Sequence, residues 1–177
     1  VEGFRPGVMA RLGLDAATVR GANPAIVYCS ISGYGQEDPR AALPGHDVNY
    51  QAWAGALTPD GGAATMPRLP IADLAAGMSA AFGICAAVLG RQATGHGAHL
   101  DVSMTDVLAT WTGRTGGADG EGGAGSPAPQ PVPGYGLFAT ADDGQIALGV
   151  LSEQHFWSNL CAELGLDYAA ANTLEIM

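Results

Sequence analysis

Ala25-Ile26-Val27-Tyr28-Cys29-Ser30-Ile31-Ser32 is a nearly continuous apolar, β-favouring run, closed in front by Asn23-Pro24 and behind by Gly33. Unbroken rather than alternating hydrophobicity is the pattern of a strand covered on both faces, which places it in the parallel sheet of an α/β domain. Upstream, Pro6 to Leu14 and Asp15 to Gly21 read as two short helices, with Pro6 in a first turn and Asp15 as an N-cap. Downstream, Gly33 to Gly45 reads as a loop rich in glycine, proline and charge. His46 to Leu57 then reads as a helix with Val48, Ala52 and Leu57 along its apolar side and His46 in its first turn. A loop over Asp60 to Pro70 leads to a long Ala/Gly-rich helix, Ile71 to Arg91, with Asp73 near its start. His99 to Val102 follows as a second short strand, and Ser103 to Thr112 as a helix opened by a Ser-x-x-Asp capping pattern.

Beyond that point the composition changes. Gly113 to Pro133 is glycine-rich and then proline-rich, with almost no large apolar side chains, and reads as a linker. Tyr135 to Thr140 and Gln145 to Leu151 flank Asp142-Asp143-Gly144, a hairpin signal. Ser152 is placed to cap a helix from Glu153 to Leu164, with Phe156, Leu160 and Leu164 on one stripe. The expected organisation is therefore an α/β part over residues 1–112, a linker over 113–133 and the start of a smaller α+β part over 134–177.

The 177 residues carry seven arginines, no lysine and 17 acidic side chains, for a formal charge of −10. With 47% hydrophobic residues the chain is built to pack a core, unlike a disordered segment. No basic patch is available to neutralise a run of phosphates, so nucleic acid is not an expected partner, nor is an anionic membrane surface. Leu74 to Gly90 carries no charge, but its small residues and short length point to a buried core helix rather than a membrane span. Cys29, Cys85 and Cys161 are odd in number and far apart in apolar runs, as expected of reduced, packed thiols in a cytoplasmic protein. Val1-Glu2-Gly3-Phe4 has neither an initiator methionine nor a signal-peptide pattern, and the chain reads as an internal fragment.

Two residues share a setting suited to proton transfer. His46, followed by Asp47, and Asp73 both fall at expected helix N-termini, where the partial positive charge disfavours imidazolium and favours carboxylate. Both are then expected to accept protons near neutral pH. On spacing alone, a capping or surface histidine and a simple N-terminal charge account for them more readily. His96, His99 and Asp101 form a His-x-x-His-x-Asp cluster, but no cysteine is near to complete a site and no metal is expected. Neither a G-x-G-x-x-G helix opening nor a P-loop occurs. Arg5 and Arg11 flank a short helix and suit either an anionic ligand or solvent.

Several motifs in register resemble one family. Val1-Glu2-Gly3-Phe4-Arg5-Pro6-Gly7-Val8, Arg11-Leu12-Gly13-Leu14, Asn23-Pro24 and Ile31-Ser32-Gly33-Tyr34-Gly35-Gln36 come first. Gly45-His46-Asp47-Val48-Asn49-Tyr50, Ala72-Asp73-Leu74-Ala75-Ala76-Gly77 and Thr94-Gly95-His96-Gly97-Ala98-His99-Leu100-Asp101-Val102-Ser103-Met104 follow in the same order. Together, from Val1 to about Leu166, they resemble the class III CoA-transferases of the CaiB/BaiF type, a family that includes the α-methylacyl-CoA racemases.

The resemblance implies a large nucleotide-binding-like α/β domain that binds CoA, a small domain reached through a linker, and an interlocked homodimer when the chain is full length. It implies no permanently bound cofactor, coenzyme A entering as part of an acyl-CoA thioester substrate. In the racemase branch, positions matching His46 and Asp73 stand on opposite faces of the α-carbon, and a glutamate matching Glu153 orients the histidine once one residue is inserted ahead of it. Arg5 and Arg11 match contacts to the CoA nucleotide, and Gly45, Asp47 and Tyr50 match positions lining the thioester. At His96 the family usually has a cation. In the transferase branch the aspartate is a nucleophile that forms acyl-anhydride and thioester intermediates, and no histidine is needed. Gly45-His46-Asp47 therefore favours epimerisation of a 2-methyl-branched acyl-CoA. CoA transfer between carboxylic acids and a non-catalytic CoA-binding fragment are the alternatives.

Overall fold

The computed structural model describes residues 1–57, 65–112, 134–150 and 153–166. The chain divides into two compact units, Val1–Ser126 and Pro127–Met177. The expected linker over 113–133 and the expected cap Ser152 lie outside the described residues.

The first unit is built on the opening stretch. Strand β1 (Tyr28–Ser32) pairs in parallel with β2 (His99–Ser103), running from Tyr28 opposite His99 to Ser32 opposite Ser103, and Glu2 adds a parallel bridge to Ser30. Parallel strands cannot be joined by a tight turn. The crossover contains helices α3 (Asp47–Trp53) and α4 (Ile71–Thr94). Along β1, Tyr28, Cys29, Ser30 and Ser32 are buried, as the unbroken apolar run predicts. Burial also lifts the Cys29 thiol above its ordinary range.

Ahead of β1 lie α1 (Val8–Arg11) and α2 (Ala16–Ala22). Asp15 caps α2 as expected, accepting from the Thr18 N–H at 3.0 Å and the Thr18 hydroxyl at 2.8 Å. Pro6 does not open a first turn: Gly7, with φ of 84°, separates it from α1, which is a single turn.

Helix α4 is the packing partner of the sheet. Ala72, Ala75, Ala76 and Ala80 are buried, and Ala76 and Ala80 form a core cluster with Cys29 and Val102. A second cluster joins Tyr34, Tyr50, Ala54, Ala72 and Leu108, the last from α5 (Met104–Trp111). The expectation of a buried core helix holds for one side of α4 only: Leu74, Met78, Phe82 and Leu89 are exposed in this chain, and so is Cys85. Small residues let one side of α4 approach the sheet, and the large ones were left for the other side. By length and composition alone α4 is long and apolar enough to cross a membrane, but its alanine side packs on β1 and β2.

The buried side of α3 also differs from expectation. Tyr50, Gln51 and Ala54 face inward, whereas Ala52 is exposed and Val48 and Leu57 are half-buried. An aromatic ring and a hydrogen-bonded amide displaced the aliphatic stripe because both find partners inside. Ser103 ends β2 and caps α5, accepting from the Asp106 N–H at 3.1 Å.

In the second unit, β3 (Tyr135–Ala139) and β4 (Gln145–Gly149) form the expected antiparallel hairpin, with Asp143 left-handed in its turn at φ of 61°. Helix α6 (Gln154–Leu164) follows. Its inward side is Cys161 with the half-buried Trp157 and Leu160, while Phe156 and Leu164 are exposed. The large Trp157 ring, which lies close to Gly134 beside β3, rotates the expected stripe.

Candidate active site

The segment leaving β1 is tied down at several points before it reaches His46. The Gly33 carbonyl accepts from the Thr105 N–H at 3.1 Å and its hydroxyl at 2.8 Å. The Ser32 hydroxyl accepts from the Gly35 N–H at 3.0 Å, and the Asp101 carboxylate from the Gln36 N–H at 2.8 Å. Further along, Arg40 forms an ion pair with Asp38 at 2.8 Å and lies over the rings of Tyr34 and Trp53. The Arg40 hydrogen bond is the main reason the Asp38 carboxyl sits below its usual range. The chain thus arrives at Gly45 along a fixed course.

Tyr50 fixes the end of that course. Its hydroxyl donates to the Gly45 carbonyl at 2.7 Å, and its ring meets Tyr34 edge-on with centroids 5.3 Å apart. The ring passes so close to the backbone that a Cβ at Gly33 would fall 2.3 Å from it, and one at Gly45 2.7 Å. Burial first, then the neighbouring Tyr34 phenol and the negative charge of Asp73, raise the Tyr50 phenol, against an opposing effect of Arg5. Arg5 therefore acts electrostatically on the same place, although it comes from the start of the chain.

His46 is the N-cap of α3, one position ahead of the expected first turn, and it is exposed. Asn49 Oδ1 accepts from the His46 N–H at 3.0 Å, which satisfies the cap backbone. Asp47, the next residue, reaches across to α4. Its Oδ1 accepts from the N–H groups of Ala72 at 2.8 Å and Asp73 at 3.1 Å, two donors that have no partner within the helix itself. Its Oδ2 accepts from Gln51 Nε2, and Gln51 Nε2 also donates to the Leu69 carbonyl at 3.1 Å.

Asp73, in the first turn of α4, behaves differently from the helix-end expectation. Its carboxyl is raised above the ordinary range, mainly by desolvation and then by the Asp47 charge, with His46 pulling the other way. The helix end does not lower it because Asp47, not Asp73, occupies the N–H groups there.

Gly45, His46, Asp47, Tyr50 and Asp73 thus converge at the facing starts of α3 and α4. Arg5 lines a cavity of about 260 Å³ that also contains Tyr28, Ser30, Gln36 and His99, while Arg11 is exposed at the end of α1. Glu153 belongs to the second unit, where it is the residue ahead of α6. Among the described residues no cluster of three His, Cys, Asp or Glu could hold a metal ion: His99 pairs with the Ser30 hydroxyl at 3.1 Å and Asp101 with Gln36. Gln51 was missed in the sequence, although its place four residues after Asp47 is the spacing at which helix side chains meet.

One family model, CoA-transferase family III, matches residues 1–175, nearly the whole chain. The chain belongs to this family. Among curated relatives, human alpha-methylacyl-CoA racemase is 33% identical over 183 residues, covering 94% of this chain and 46% of the racemase. Acetyl-CoA:oxalate CoA-transferase of Acetobacter aceti is 41% identical over 109 residues, covering 59% of this chain and 28% of that enzyme. The crystal structure of Rv3272 from Mycobacterium tuberculosis superposes with a TM-score of 0.72 at 29% identity, covering 93% of this chain and 44% of that one. The chain therefore spans about half the length, or less, of the relatives it matches. Family III holds racemases and CoA-transferases alike, so membership makes this an enzyme family chain of mixed α/β fold without fixing which reaction it serves.

Proposed function

We propose that the protein to which this chain belongs epimerises the α-carbon of a 2-methyl-branched acyl-CoA thioester. The observation that carries this reading is the pairing of an exposed histidine at the start of α3 with a carboxyl of raised basicity at the start of α4. A general base that removes a proton next to a thioester works best when its pKa lies near the working pH, and a carboxyl lifted from its ordinary range meets that need better than an unperturbed one. One member of the pair takes the α-proton, and the electron pair of the broken C–H bond moves into the thioester carbonyl to give an enolate. The other member delivers a proton to the opposite face, restoring the carbonyl and inverting the centre. General acid-base groups of this kind contribute roughly 10²–10⁴-fold each. Glu153 is assigned, by family resemblance, to orient His46, Arg5 and Arg11 to receive the CoA nucleotide, and the full-length protein to act as a homodimer.

The 41% identical oxalate CoA-transferase supports a second reading, in which Asp73 attacks the thioester carbonyl and CoA passes between carboxylic acids. Incubating the full-length protein with an acyl-CoA in deuterated water separates the two. Deuterium entering the α-position without an acceptor acid supports epimerisation. CoA exchange that requires an acceptor, with no α-deuterium, overturns it in favour of transfer. Absence of both reactions points to a CoA-binding protein without catalysis.

A further inference from the structure

The carboxylate of Asp47 uses both oxygens within the protein. One caps the first turn of α4 through the N–H groups of Ala72 and Asp73, and the other is held by Gln51. Gln51 is 1% exposed, and the same amide nitrogen bonds the Leu69 carbonyl, just ahead of α4. His46 and Asp73 are thus linked through a single residue: His46 is bonded covalently to Asp47, and Asp47 is hydrogen-bonded to the backbone of Asp73. Two groups that must reach opposite faces of one carbon depend on the spacing of the helix ends that carry them, and a displacement near 1 Å can cost about 10²-fold in rate.

We propose that Asp47 is a positioning residue that sets the start of α4, and with it Asp73, against His46, and that buried Gln51 holds Asp47 in that role. This differs from a part in lining the thioester, since both carboxylate oxygens are turned to α4 and α3. Asp47 also contributes a fixed charge. The titratable groups acting on or affected by Asp73 are Asp47, His46 and Tyr50, and Asp47 is the one that opposes ionisation of Asp73. The proposal rests on the reading that His46 and Asp73 exchange the α-proton.

The test uses the full-length enzyme with Asp47→Ala, Asp47→Asn and Gln51→Met, followed by α-proton exchange into deuterated water and by amide hydrogen exchange of the unliganded protein. Asp47→Ala is expected to lower kcat about 10²-fold with little change in KM, and to speed exchange of the Ala72 and Asp73 amides. Asp47→Asn keeps an acceptor for those amides but loses the charge and the acceptor for Gln51 Nε2. It is expected to restore kcat only in part, to about the level of Gln51→Met, and to move the acidic limb of the pH profile to lower pH. Gln51→Met is expected to reproduce part of the Asp47→Ala loss. A loss confined to KM, unchanged amide exchange in Asp47→Ala, or an unmoved limb in Asp47→Asn would each overturn the proposal. If Asp47→Ala does not fold, the Asp47→Asn limb and the Gln51→Met amides decide it. Retention of α-exchange in His46→Ala and Asp73→Asn would instead defeat the underlying reading, and the amide measurement still judges the clamp.

Discussion

The Tyr50 hydroxyl donates to the Gly45 carbonyl at 2.7 Å, so a buried ring on α3 fixes the backbone from which His46 starts. Removing the donor while keeping the ring isolates that contact. Tyr50→Phe leaves the Gly45 carbonyl without this partner and is expected to cost about 1–2 kcal/mol, read as a lower urea midpoint with an unchanged slope. The rate of α-proton exchange is expected to fall alongside, because His46 follows Gly45 directly. An unchanged midpoint and rate would show that the hydroxyl contributes to neither.

Among the described glycines of the first unit, Gly97 makes the tightest backbone approach. Its N–H donates to the Pro24 carbonyl at 2.8 Å, and a Cβ there would lie 1.8 Å from the Ile26 carbonyl oxygen. The partner atom is backbone, with no side chain able to rotate away, so Gly97→Ala must shift either the approach to β1 or the approach to β2. The expected result is loss of soluble protein or a destabilisation of about 3 kcal/mol, measured by thermal unfolding. Gly77, around which no such contact exists, is the control: Gly77→Ala is expected to be neutral or stabilising.

The raised carboxyl of Asp73 makes a statement about stability as well as chemistry. A group whose folded affinity for protons exceeds its unfolded one favours the fold most below the unfolded value, 3.8 for an aspartate, and loses that contribution as pH rises through the folded value. At neutral pH the ionised form is a liability created mainly by desolvation and by Asp47. Asp73 is nonetheless exposed, and water screens most of that cost, so Asp73→Asn should raise the melting temperature near pH 7 only slightly and leave it unchanged near pH 3, while α-proton exchange is lost. Equal effects at both pH values would sever the link between this carboxyl and stability.

What the sequence disclosed and what it withheld follow from the range of the forces involved. The unbroken run through Tyr28–Ser32, the Asp15 and Ser103 caps and the Asp142-Asp143-Gly144 turn depend on neighbours a few residues away, and each appears where local pattern puts it. The faces of α3 and α6 do not, because the Tyr50 and Trp157 rings pack close to glycines elsewhere in the sequence, Gly33 and Gly134 respectively. His46 and Asp73 were legible as chemical types at helix starts. The direction of the Asp73 shift was hidden, since it depends first on desolvation that only the folded chain imposes and then on Asp47, 26 positions away, taking the helix end.

Arg5 and Arg11 were indistinguishable by composition, and the fold separates them. Arg5 lines the cavity of about 260 Å³ together with Gln36, whose Nε2 is buried without a hydrogen-bond partner, and the Arg5 charge also reaches Tyr50. If Arg5 serves the nucleotide of CoA, Arg5→Met should raise KM for the acyl-CoA about 10-fold, equivalent to about 1.4 kcal/mol of binding. It should hardly change KM for the same acyl group on pantetheine, which lacks the nucleotide. The wild-type advantage should also shrink as ionic strength rises, since a solvent-exposed arginine acting on an anion is screened over about 10 Å at 0.1 M salt. Equal losses with both thioesters, appearing in kcat rather than KM, would move Arg5 from the nucleotide to the reacting end, where its effect on Tyr50 already places its field.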